Sequence, residues 1–125
     1  MKKFITTLLL SGSLLLGASS VSAQAAETAP KSVIHVVTVD FKEGTTPDQI
    51  KAVVDGVQKL PTQYKGISRV WTRVIKNQSG KAHIFVMEFT DEKALKDYAD
   101  SDAQKEWYKA YVPVRERSAT SDITN

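Results

Sequence analysis

Val33-Ile-His-Val-Val-Thr-Val-Asp-Phe41 is the stretch on which the fold turns. It is rich in β-branched residues, which fit a pleated, half-buried surface and predict a strand. By alternation, Val33, His35, Val37, Val39 and Phe41 share one face, and Ile34, Val36, Thr38 and Asp40 share the other. Both faces are largely apolar, so the strand is expected to be central and covered on both sides. The stretch also has an echo. His35-Val-Val-Thr-Val-Asp-Phe41 and His83-Ile-Phe-Val-Met-Glu-Phe89 each run His, four mainly apolar residues, an acid and Phe. A capped helix start follows each of them.

After the first copy, Thr46 suits an N-cap, Pro47 the first helical position and Gln49 a capping box. Ile50, Val53, Val54, Val57 and Leu60 then form one apolar stripe at helical spacing. Pro61 is expected to stop this helix. Gly66 precedes a second strand, Ile67 to about Lys76, and Asn77-Gln78-Ser79-Gly80 reads as a turn. The third strand spans Ala82 to Phe89. Thr90 and Asp91 can cap a helix carrying Leu95, Tyr98 and Ala99, and a further helical stretch runs from about Asp102 to Val112. Residues 114–123 read as a polar fourth strand with weak strand character.

The order β-α-β-β-α-β predicts an α+β, ferredoxin-like fold: an antiparallel sheet with helices on one face. From the half-repeat, the first and third strands are expected side by side and parallel, making His35 and His83 neighbours on one face. Two helices cover only one face of a four-stranded sheet. The other, carrying Ile34, Val36, Ile84 and Val86, needs a second cover, and the simplest is another copy of the sheet. The expectation is a homodimer closing into an α/β barrel.

The beginning of the chain reads as an export signal, residues 1–23. Lys2 and Lys3 form a positive start, Phe4 to Leu16 an apolar core too short to span a membrane, and Val21-Ser22-Ala23 a cleavage site. Ala23-Gln24-Ala25 fits cleavage too. Residues 24–32 are expected to be a flexible tail, and 33–123 the folded domain. The product is then periplasmic or secreted from a bacterium and free of the membrane. The sequence of 125 residues has no cysteine, which excludes disulfides, thiolate metal sites and a Cys nucleophile. Formal charge is +3, but removing Lys2 and Lys3 leaves 15 basic residues against 14 acidic. Lys93, Lys96, Lys105 and Lys109 are interleaved with acids, a solvated surface of mixed sign. Nucleic-acid binding is not expected.

Four segments together resemble the stress-responsive A/B barrel (Dabb) family of dimeric α+β barrels. They are His35 to Phe41 with Lys42-Glu43-Gly44-Thr45, Gly66-Ile67 before Trp71, Val86-Met87-Glu88-Phe89, and Asp91 to Tyr98. The resemblance covers about residues 33–123. It implies a pocket between helices and sheet. In members similar to plant polyketide cyclases, a Tyr and a His there form an acid/base pair. Tyr98 matches that Tyr, His35 and His83 match pocket-lining histidines, and Gln104 stands at the position of the catalytic His. Gln exchanges no proton near neutral pH, which weighs against cyclase chemistry.

The candidate ligand contacts are therefore His35, His83, Tyr98, Gln104 and Trp71, with His35, His83 and Tyr98 as candidate catalytic groups. Each also has a plain structural reading as a core or rim residue, as do Trp107, Tyr108 and Tyr111. Two imidazoles are too few for a zinc site, so no metal is expected. No cofactor motif is present, and no cofactor is expected. Three functional classes stay open: a domain binding a small apolar or aromatic molecule, a cofactor-free enzyme of the cyclase or monooxygenase type, and an interaction module without a pocket.

Overall fold

The two-faced apolar strand occupies an inner position of a four-stranded sheet. The computed structural model describes residues 31–78 and 82–125. The expected leader, most of the expected tail, and Ser79 and Gly80 of the expected turn lie outside the described residues. The elements run β1 (Val33–Phe41), α1 (Pro47–Gln63), β2 (Ile67–Trp71), β3 (His83–Phe89), α2 (Glu92–Tyr98), α3 (Asp102–Tyr111) and β4 (Arg115–Thr124). The sheet order is β2-β3-β1-β4, and every neighbouring pair is antiparallel.

The antiparallel pairing of β1 with β3 overturns the parallel arrangement expected from the half-repeat. In this topology β3 inserts between β1 and β2 and runs against both. Met87, not His83, stands opposite His35, and His83 stands opposite Val39. The two histidines share a face but lie about 13 Å apart along the strands.

The helix starts follow the sequence. The Thr46 hydroxyl accepts from the Gln49 N–H at 3.2 Å, and Gln49 Oε1 accepts from the Thr46 N–H at 2.9 Å, completing a capping box. Asp91 caps α2 by accepting from the Ala94 N–H at 2.7 Å. Pro61 does not end α1, which continues to Gln63. Fully buried Leu60 holds the chain helical there, and the Tyr64 N–H still reaches the Leu60 carbonyl at 2.9 Å. Pro61 gives up its own donor within the helix. β2 is shorter than expected, ending at Trp71, and the polar β4 is a full strand of ten residues.

One sheet face packs against the helices. Val33, Val37 and Val39 of β1 and Phe85, Met87 and Phe89 of β3 meet Val53, Val57 and Leu60 of α1 and Trp107 and Tyr111 of α3. Each such large apolar side chain contributes about 1.5–3 kcal/mol on full burial. Gly56 lets α1 and α3 approach closely. A Cβ there would lie 2.6 Å from Trp107 Cδ1, and the Trp107 indole N–H donates to the Val53 carbonyl at 3.1 Å. The opposite face carries Ile34, Val36, Ile84 and Val86, and no element of the described chain covers it. Trp71 and Ile123 are 45% and 60% exposed there.

Candidate functional site

Register decides which residues meet on the helix side of β1 and β4. Pairing sets His35 opposite Asp122, Val37 opposite Thr120 and Val39 opposite Ser118. The inward positions of β4 are thus polar, and they border a cavity rather than the packed core. This cavity, of about 210 Å³, lies between that half of the sheet and helices α2 and α3. β1 supplies His35 and Val37, and β4 supplies Arg115, Ser118 and Thr120. Leu95, Tyr98 and Ala99 come from α2 and the residue after it, and Gln104, Trp107, Tyr108 and Tyr111 from α3.

The walls are mainly aromatic. Trp107 and Tyr111 stack with centroids 4.5 Å apart and planes at 7°. Tyr98 packs against Phe89 at 5.3 Å and Tyr64 at 5.5 Å. The hydroxyls of Tyr98 and Tyr111 are buried without a hydrogen-bond partner among the described residues. A buried unpartnered hydroxyl costs about 1–3 kcal/mol. Burial pushes the Tyr98 hydroxyl well above the ordinary tyrosine range, and neighbouring Tyr108 adds to this. Burial likewise raises Tyr108, against a smaller opposing effect of the Arg115 charge. Tyr98 is therefore a neutral O–H donor at any physiological pH, never a base.

His35 brings the one imidazole to the cavity. Its Nδ1 lies 2.5 Å from Asp122 Oδ1. The carboxylate accepts from Nδ1 and so orients the ring, with Nε2 as its remaining nitrogen. Arg115 lies at the cavity's β4 side with its guanidinium 5.3 Å from the centre of the Tyr111 ring.

Three of the sequence candidates meet here: His35, Tyr98 and Gln104. The Gln104 Oε1 also accepts from the Asp100 N–H at 2.8 Å, which supports a left-handed Asp100 at φ 64° before α3. Its amide nitrogen is the group left for a ligand. His83 and Trp71 are not at this site. His83 packs against Phe41 at 4.8 Å at the far end of the strands, and Trp71 lies on the other sheet face under the Arg69 guanidinium. Sequence reasoning missed Asp122 and Arg115. The signal for Asp122 was its alternation with Ser118 and Thr120, hidden because β4 lacks an apolar face, whereas Arg115 reaches the same side only through the register shift at Asp40/Phe41, which has no sequence signal.

The order of the elements and the position of this cavity between helices and sheet agree with the sequence resemblance. Comparison with protein families matches residues 33–125 to the stress responsive A/B barrel domain. The chain belongs to that family. Solved structures with the same fold include a dimeric ferredoxin-like protein of unknown function from Bacteroides fragilis, with 16% identity and a TM-score of 0.61, covering 76% of this chain and 97% of that one. A hydroxynitrile lyase from Passiflora edulis is 17% identical with a TM-score of 0.64, covering 77% and 94%. A cofactor-independent oxygenase from Streptomyces nogalater is 13% identical with a TM-score of 0.62, covering 76% and 93%. At these identities the likeness is one of fold. No curated protein matches the chain at a significant level.

Proposed function

We propose that this A/B barrel domain is an exported protein that binds a small apolar or aromatic molecule in the cavity between α2, α3 and the β1–β4 half of the sheet. The observation that carries the reading is the pair of buried Tyr98 and Tyr111 hydroxyls without partners in an aromatic-walled cavity. A packed core avoids such groups, whereas a binding site uses a few polar groups to orient a mostly apolar ligand. Export rests on the leader pattern of residues 1–23.

The domain is proposed to act as a homodimer through the sheet face of Ile34, Val36, Ile84 and Val86. The exposed Trp71 and Ile123 extend that apolar face, and a protein of the same fold is described as dimeric. Native mass spectrometry of the exported protein, purified from its host, tests both claims. The expected result is a dimer carrying an added small mass. A bare monomer would contradict both.

A second reading, cofactor-free catalysis, is favoured by the His35–Asp122 contact. In it, Nε2 of His35 takes a proton from the bound molecule, Asp122 holds the ring in place, and Tyr98 donates to a developing oxyanion. A lyase and a cofactor-independent oxygenase share the fold. Turnover lost in His35→Gln while ligand binding persists would support this second reading. An interaction module without a pocket is disfavoured by the cavity itself.

A further inference from the structure

We propose that the cavity recognises the carboxylate of a single-ring aromatic acid, with Arg115 as the group that pairs with it. The proposal deepens the reading of the cavity as a ligand site and rests on it.

Of the four arginines, Arg115 alone lines the cavity. Arg69 is held by Glu88 at 2.6 Å, and Arg117 by Asp40 at 2.7 Å. Both lie on the face away from the helices. Arg115 lies on the helix side, and among the described residues no carboxylate comes within ion-pair distance of it. Its described contact is the Tyr111 ring, which orients the guanidinium and leaves its N–H donors for another group. A planar guanidinium matches a carboxylate with two parallel hydrogen bonds.

The other lining groups fix the rest of the ligand. Among the described residues, Arg115 is the single Lys or Arg lining the cavity. Asp122, beside the site, is already engaged with His35. One cation suits one negative charge better than a doubly charged phosphate. Trp107 and Tyr108 line the cavity with aromatic surface, while the buried Tyr98 and Tyr111 hydroxyls offer donors to the ligand's oxygens. A cavity of roughly 150 Å³ holds benzene. The 210 Å³ found here accommodates one ring with its carboxylate.

Benzoate and benzyl alcohol are the probes, similar in size and differing in charge. Calorimetry on the exported protein reads their affinities in the wild type, R115Q and R115K. Benzoate is expected to bind the wild type tighter, by on the order of 10-fold to 100-fold, as a charged hydrogen-bonded pair provides. R115Q is expected to abolish that preference and leave benzyl alcohol unaffected. R115K, which keeps the charge without the fork, is expected to fall between them. Equal wild-type affinities would overturn the carboxylate while leaving the cavity a ligand site. A preference surviving in R115Q would overturn the role of Arg115. Binding of neither probe would overturn the proposal together with the ligand-site reading. The wild-type comparison is decisive even where R115Q fails to fold.

Discussion

Asp122 on the last strand holds Nδ1 of His35 on the first at 2.5 Å, across 87 residues of sequence. The β1–β4 register sets the two directly opposite each other. The contact makes His35 an oriented imidazole rather than a freely rotating one. Asp122→Ala is therefore expected to mix the His35 tautomers, which sit on Nδ1–H in the wild type. Nitrogen-detected NMR of the ring reads this directly. Because the Asp122 side chain is 45% exposed, the stability cost is expected to stay below about 1 kcal/mol. An unchanged tautomer would show that the carboxylate does not orient the ring.

Tyr98→Phe separates a ligand-binding hydroxyl from a structural one. The wild-type hydroxyl is buried without a partner among the described residues. Removing it from the ligand-free protein is expected to raise stability by up to about 1 kcal/mol. A loss of comparable size in chemical denaturation would mean that the hydroxyl supports the fold.

The same residue sets an alkaline limit. Burial first, and Tyr108 second, raise Tyr98 above its unfolded value. Below about pH 10 both folded and unfolded states keep the proton, so stability does not depend on this group. Above it the unfolded state releases the proton first, and stability falls as pH rises. Tyr98→Phe is expected to flatten that fall in melting curves between pH 9 and pH 11, to the extent that Tyr98 causes it. Parallel wild-type and variant curves would exclude Tyr98 as a cause.

Glu88 works in the opposite direction. Its hydrogen bond to Arg69 is the main cause holding its carboxyl below the usual range. The stability it contributes is present above the unfolded value, near 4.5, and is lost as pH falls through the lower folded value. Glu88→Gln is expected to flatten the acid limb of a stability–pH profile. An unaltered acid limb would assign acid sensitivity to other carboxylates.

Gly56→Ala tests the packing that forms the cavity's rear wall. Alanine gains about 1 kcal/mol of helix propensity over glycine. The new methyl, however, meets Trp107 Cδ1 at 2.6 Å in a buried, hydrogen-bonded indole. Overpacking of this kind costs about 1–3 kcal/mol. A net loss of thermal stability is expected, together with shifted Trp107 resonances. A more stable variant would show that α1 and α3 have room to separate.

How much of this was legible in the sequence depends on the residue. Thr46, Pro47 and Gln49 announced α1, and the apolar stripes of β1 and β3 announced the core, because local capping and periodicity are written in adjacent residues. His35, Tyr98 and Gln104 were legible through the family resemblance and do meet at the cavity. The direction of β3 was not, since a repeated half looks the same whichever way it inserts. His35 and His83 were expected as neighbours for that reason and lie at opposite ends. Nor was β4 legible as a cavity wall. Ser118, Thr120 and Asp122 alternate correctly, but a strand facing a cavity lacks the apolar signal of one facing a core, and Arg115 joins them only through the register shift at Asp40/Phe41.

The most direct test of the cavity as the ligand site is side-chain NMR of the exported protein titrated with phenol, a neutral single ring. Perturbation of His35, Tyr98 and Trp107, with Trp71 and Ile123 unmoved, is the result predicted. Perturbation confined to Trp71, Ile123 and Ile84 on the other sheet face, with the cavity residues silent, would contradict it.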